Sequence, residues 1–169
     1  ATGIMGVSGN YLDYGLKFAG REKSKREIKF PLGYAVEPVS EPALESARQW
    51  CKSQGIRDDV FTICFFGTIG RFFDLKTVID AVKLIGQSID IQVILGGDGS
   101  DKSKFEAMAK DQKSIFFSGW LDAPKISAVM EVSNVGLAPY KIDARMALPN
   151  KPFEYMAGSL ASLSSIQGE

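Results

Sequence analysis

The sequence predicts an α/β fold built on a doubly wound parallel sheet with helices on both faces. Short apolar runs alternate with amphipathic segments from residue 59 onward. Five such runs follow one another, and glycine-rich loops close two of them where a strand would hand over to a helix. This alternation is the signature of parallel strands joined by crossover helices.

Residues 60–66, VFTICFF, are apolar and rich in aromatic and β-branched side chains, as a buried strand requires. Residues 67–74 form a loop. Residues 75–85 then place Leu75, Val78, Ile79, Val82 and Ile85 on one helical face, and Gly86 is a natural stop. The cycle repeats as a strand at 91–95, a glycine-rich loop at 96–101, and a helix at 102–110 burying Phe105, Met108 and Ala109. A short strand at 115–118 leads to a helix at 124–132 with Pro124 in its first turn. The strand at 135–138 is stopped by Pro139. A helix at 150–157 is expected to turn Phe153, Met156 and Ala157 inward, and 160–163 reads as the fifth strand. Right-handed crossovers make these strands a Rossmann-like sheet.

The first forty residues follow a different plan. A strand at 3–7, a helix at 11–19, a charged loop at 20–27 and a strand at 28–30 precede Pro31-Leu32-Gly33. A helix at 42–54 follows, with Ser40 as its cap and Ala43, Leu44, Ala47, Trp50 and Cys51 as its apolar face. Residues 1–34 are therefore expected to be the tail of a preceding domain with a linker, and 35–169 a second domain truncated at its end. No internal repeat or low-complexity segment is present.

Composition narrows the function. A chain of 169 residues, 45% hydrophobic and 24% charged, suits one globular domain with a full core. Twenty basic residues balance twenty acidic ones, so no basic excess argues for a nucleic-acid partner. No apolar run is long enough to span a bilayer, and no signal peptide is evident at the start. Cys51 and Cys64 read as free, buried thiols of a reducing cytosol rather than a disulfide framework. The absence of histidine excludes His-based zinc sites and His-dependent triads and dyads. Catalysis must then use carboxylates, Lys, Arg, backbone amides or the substrate.

Ligands of parallel sheets bind at the carboxyl ends of the strands, which makes the loops there the candidate sites. Gly67, Thr68, Ile69, Gly70 and Arg71 could bring backbone amides and one guanidinium to a phosphate. They read equally well as a tight turn with a solvated arginine, and the spacing is not GxGxxG. Gly96-Gly97-Asp98-Gly99 reads first as a simple turn. Trp120, after a strand, could stack near a base or pack against a loop. At 148–155, LPNKPFEY, Asn150 and Lys151 open a helix that would face the same crevice, and Glu154 lies one turn further in. An anion near Lys151 and sugar hydroxyls near Glu154 make electrostatic sense. Ordinary helix capping accounts for these residues equally well.

Taken together, these segments resemble one family. MALPNKPFEYMAGSLASLSSIQGE is similar to the ribose- and diphosphate-binding segment of family 4 glycosyltransferases, of the two-domain GT-B type. CFFGTIGRFFDLKTVIDAV resembles that family's first donor-domain strand, loop and helix. VILGGDG, FFSGWLDAPKISAVMEVSNVGLAPY and the opening GIMGVSGNYLDYGLKFAGRE with FPLGY fall in family order, so the resemblance covers nearly the whole chain.

The resemblance implies a hexosyl-type transferase that moves a sugar from a nucleotide donor, UDP- or GDP-linked, to an acceptor hydroxyl with retention of configuration, with residues 35–169 as its nucleotide-sugar-binding domain. It implies that Gly67, Thr68, Ile69, Gly70 and Arg71 line the diphosphate and that Trp120 and Leu121 lie near the base. Lys151, with Arg71, would stabilise the leaving diphosphate, Asn150 would open the binding helix and Glu154 would hold the ribose. No metal is implied, because cations and a helix terminus take its place, and no cofactor beyond the donor. The implied partners are the donor, a glycan or lipid-linked acceptor and an N-terminal acceptor domain, with no nucleic acid. The implied location is cytoplasmic, with peripheral association at the inner face of a membrane left open. Without most of the acceptor domain the isolated chain is expected to be inactive, since no closed cleft can form.

Three departures from the family pattern stand out. The first glutamate of its Glu-seven-residues-Glu motif falls at Met146. The arginine and lysine common in the donor loop fall at Thr68 and Phe73. The Ala-Gly-Leu-Pro after the helix reads Gly158-Ser159-Leu160-Ala161. Two other functions fit the same fold: a sugar-nucleotide epimerase, which would need further acid–base residues, and a non-catalytic nucleotide-binding module.

Overall fold

A computed structural model describes residues 2–35, 38–144 and 148–166. Five parallel strands form the main sheet: β3 (Phe61–Phe66), β4 (Ile91–Gly96), β5 (Ile115–Gly119), β6 (Val135–Ala138) and β7 (Ala161–Ser164). Their spatial order is β5-β4-β3-β6-β7. The chain steps outward from β3 through β4 to β5, then returns to the other side of β3 for β6 and β7. The reversal puts a topological switch point between β3 and β6, where the connections leaving the two strands diverge and open a crevice.

Alternation along the strands feeds two cores, one on each face. Phe65, Val93, Leu95 and Leu137 point to the side covered by α3 (Leu75–Ile85) and α4 (Lys102–Met108), against Leu75, Ile79, Val82 and Phe105. Cys64, Phe66 and Ile94 point to the other side. There α2 (Glu41–Ser53), α5 (Ala123–Glu131) and α6 (Lys151–Ala157) supply Ala47, Cys51, Ala128, Val129 and Tyr155. The predicted fold class is the one observed. Both cysteines are free and buried.

The predicted inner face of α6 is not the observed one. Met156 and Ala157 are exposed and Phe153 is half-buried, while Lys151 and Tyr155 are the buried residues. The cause lies on β6. A Cβ at Gly136 would stand inside the Tyr155 ring, so the bare backbone there lets the ring lie flat on the strand. The Tyr155 hydroxyl then donates to the Leu137 carbonyl at 2.7 Å. Tyr155→Phe is expected to cost about 1 kcal/mol by leaving that acceptor unpaired. Chemical denaturation measures it, and an unchanged midpoint would show that the bond contributes nothing.

The caps were partly legible. Asp74 caps α3, its carboxylate accepting from the Thr77 amide at 3.2 Å and hydroxyl at 2.7 Å. Ser40 and Asn150 occupy cap positions without a side-chain cap bond. A separate unit precedes the main sheet: β1 (Met5–Gly6), α1 (Gly9–Ala19) and β2 (Ile28–Lys29), with β1 and β2 paired in parallel as their own small sheet. Among the described residues no helix is long and apolar enough to cross a membrane.

Candidate functional site

A cavity of about 610 Å³ opens at the switch point and has the size of a small-molecule site. Its floor is made by strand-end loops fastened to one another. The Gly67 amide donates to the Gly96 carbonyl at 2.9 Å, the Ile69 amide to Asp98 at 2.9 Å, and the Gly97 amide to Gly119 at 2.7 Å. The Asp101 amide returns a bond to the Ile69 carbonyl at 3.1 Å. This lacing needs glycine. At Gly97, with φ at 132°, a Cβ would run into the Gly67 carbonyl.

A second fastening joins the β3–α3 loop to the end of β6. Phe73 and Tyr140 form an antiparallel bridge. The Asp74 amide donates to the Pro139 carbonyl at 2.7 Å and the Lys141 amide to Phe72 at 3.0 Å. The result is an aromatic wall. The rings of Phe65 and Phe73 meet edge to face at 4.9 Å, and those of Phe73 and Tyr140 lie 4.9 Å apart.

Lys151, the first residue of α6, reaches into this wall. Its ammonium donates a short hydrogen bond to the Phe66 carbonyl and sits 4.5 Å from the Phe65 ring centroid and 5.0 Å from that of Phe73. Gly67 makes room for it, since a Cβ there would strike the ammonium. Burial pushes its pKa down to about 8, while Glu154 and Cys64 pull the other way. Burial likewise holds Glu154 above the ordinary carboxylate range, opposed by Lys151. Among the described residues no carboxylate lies within ion-pair distance of Lys151. It is a buried cation in contact with a carbonyl and two ring faces and drawn by Glu154 only from beyond ion-pair distance, a costly arrangement that an incoming anion would relieve.

The structure brings together on this cavity Gly67, Thr68, Trp120, Leu121, Asn150, Lys151 and Glu154. Trp120 is 76% exposed at the rim, whereas Leu121 is buried in the wall. Ile69, Gly70 and Arg71 sit elsewhere, contrary to the expectation that the whole loop lines an anion. Ile69 is fully buried in the core with its amide and carbonyl engaged. Gly70 is buried outside the cavity lining. Arg71 is exposed, its guanidinium stacked 4.8 Å over the Phe72 ring.

The start of α6 uses some of its own amides. Those of Phe153 and Glu154 already donate to the Asn150 carbonyl, at 3.1 and 3.2 Å, and Pro152 has none. The positive charge at this helix start is carried by the Lys151 side chain instead. Met146 lies outside the described residues. Sequence reasoning overlooked Phe72, Phe73 and Tyr140 as cavity residues. For Tyr140 the signal was available, because it directly follows the Pro139 that ends a parallel strand. Among the described residues no group of three His, Cys, Asp or Glu is placed to hold a metal ion.

Solved structures similar in fold include glycosyltransferases and a sucrose-phosphate synthase. HepE of Anabaena, in complex with UDP-glucose, is 15% identical with a TM-score of 0.73, over 99% of this chain and 46% of that one. A glycosyltransferase of Rickettsia africae is 13% identical with a TM-score of 0.74, over 99% of this chain and 45% of that one. Sucrose-phosphate synthase of Thermosynechococcus elongatus is 16% identical with a TM-score of 0.72, over 99% of this chain and 41% of that one. The chain therefore spans less than half the length of these structures. At such identities the likeness is one of fold, that of one Rossmann-like half of a GT-B glycosyltransferase. No family model matches the chain, and no curated protein matches it in sequence.

Proposed function

We propose that this chain is the donor-binding half of a family 4 retaining glycosyltransferase, binding a nucleotide-diphospho-sugar in the switch-point crevice. The observation that carries the reading is the Lys151 ammonium, buried against the Gly67 backbone at the cavity wall with no carboxylate within ion-pair distance among the described residues. A diphosphate is the kind of anion that position suits. Glu154, half-buried on the same wall, would accept hydroxyls of the ribose, and Trp120 at the rim would stack on the base.

In the whole protein the acceptor oxygen would bond to the anomeric carbon as the bond from that carbon to the phosphate oxygen breaks. The acceptor proton would pass to the departing phosphate, with attack on the face of departure giving retention. Lys151 would stabilise the charge that develops on the leaving group, by electrostatic preorganisation rather than through a metal ion. The acceptor would be a glycan or a lipid-linked sugar, bound with the help of a second domain.

Calorimetric titration of the chain with UDP, GDP and ADP tests this, with UDP or GDP expected to bind. Failure of all three would leave a non-catalytic module as the better reading. Trp120→Ala should lower nucleotide affinity by roughly tenfold, the scale of one lost base–aromatic stack. Its melting temperature should not move, since the ring is mostly in solvent.

A further inference from the structure

We propose that Phe73 is a positioning residue that seats the Lys151 ammonium, so that the anion site runs on one cation held by a ring rather than on two cations. The proposal rests on the donor-binding reading for its ligand, a diphosphate, but its geometry stands without it. An ammonium has three donors, and the Phe66 carbonyl takes one. Two π faces within 5.0 Å add electrostatic support at contact distance, beside the longer-range pull of Glu154.

Phe73 is the ring that the fold holds from both sides. Its backbone is bridged to Tyr140, its ring packs against Phe65 and Tyr140, and its loop is fastened to Pro139 and Lys141. A side chain clamped in this way fixes where the ammonium rests relative to Gly67.

The titratable and charged groups around the ammonium are Glu154 and Tyr155 on α6, Cys64 on β3, Tyr140 after β6, and Asp98 across the cavity. Of these only Tyr140 packs on the Phe73 ring, and any added exposure would raise the Lys151 midpoint, so a fall on that change reports the lost ring face.

The test is the titration of Lys151 in the full chain, followed by NMR of 13C-lysine-labelled protein and assigned by comparison with Lys151→Met. Phe73→Leu keeps an apolar side chain and removes the π face. It should lower the Lys151 midpoint by about one pH unit, and Phe73→Tyr should restore it. UDP affinity at pH 8 should then fall several-fold in Phe73→Leu and recover in Phe73→Tyr. A folded Phe73→Leu with an unmoved Lys151 midpoint overturns the proposal, as does a Phe73→Tyr that behaves like the leucine variant. Should Phe73→Leu not fold, Phe73→Met fills the gap with an unbranched chain and carries the same test. A shifted midpoint in a protein that binds no UDP would keep the seat and remove the nucleotide reading.

Discussion

Lys151→Ala should reduce UDP affinity by about 3 kcal/mol, roughly a hundredfold, in a calorimetric titration at pH 7. Truncation removes the one cation among the described residues that line the cavity. It also leaves a bound diphosphate facing a carbonyl and two rings. An affinity within a factor of two of the original would remove Lys151 from the binding site.

Stability should behave in the opposite sense. The lysine pKa is about 8 in the folded chain against 10.5 when exposed, so the folded state binds fewer protons between those values. Stability therefore rises with pH across that window and is least below pH 8, where folding must bury the charged form. Between pH 7 and pH 10 the original chain should gain up to about 3 kcal/mol relative to Lys151→Met. Denaturant unfolding of both proteins at the two pH values reads this directly, and parallel behaviour would show that the ammonium is not buried.

Gly97→Ala should be the most damaging small substitution. The new methyl group would be forced into a backbone conformation that L-residues rarely adopt and against the Gly67 carbonyl. Neither is the far end of a flexible side chain, so the two loops must separate. A loss of roughly 3–5 kcal/mol is expected, a melting temperature lower by about 10 °C. Gly33→Ala, with open space around the added carbon, is the control and should melt with the parent. Equal melting of both variants would mean that the loops are not locked together.

Most of the fold was legible because it rests on local periodicity. Leu75–Ile85 and Val135–Ala138 are observed with the bounds the pattern predicted, and the other strands of the main sheet differ by one residue at one or both ends, whereas the strand expected at 3–7 is only Met5–Gly6. What failed depends on facts that sequence distance hides. Met156 was expected inside because the helical period places it there, but the glycine on β6 that admits Tyr155 lies 19 residues earlier, at position 136. Ile69 looked like part of a ligand loop, yet hydrogen-bonded pairing continues past the end of β3 and draws it into the core. Arg71 carried the right charge on an outward-facing side chain. Lys151, Glu154, Asn150 and Trp120 were expected at one crevice because they fall at a strand end and a helix start, which a parallel sheet gathers along one edge, and they line one cavity. Phe73 gave no such sign, since an uncharged ring looks the same whether it fills a core or supports a cation.

The laced loops beneath the cavity divide what substitution can reach. Ordering three connected loops would drain affinity from any ligand that had to arrange them, but here the chain arranges them in advance. The outer edge, with Trp120 in solvent, bears no such duty. Under the donor-binding proposal, exchanging side chains there is the route by which a different base or sugar would be admitted while the anchorage for phosphate stays as it is.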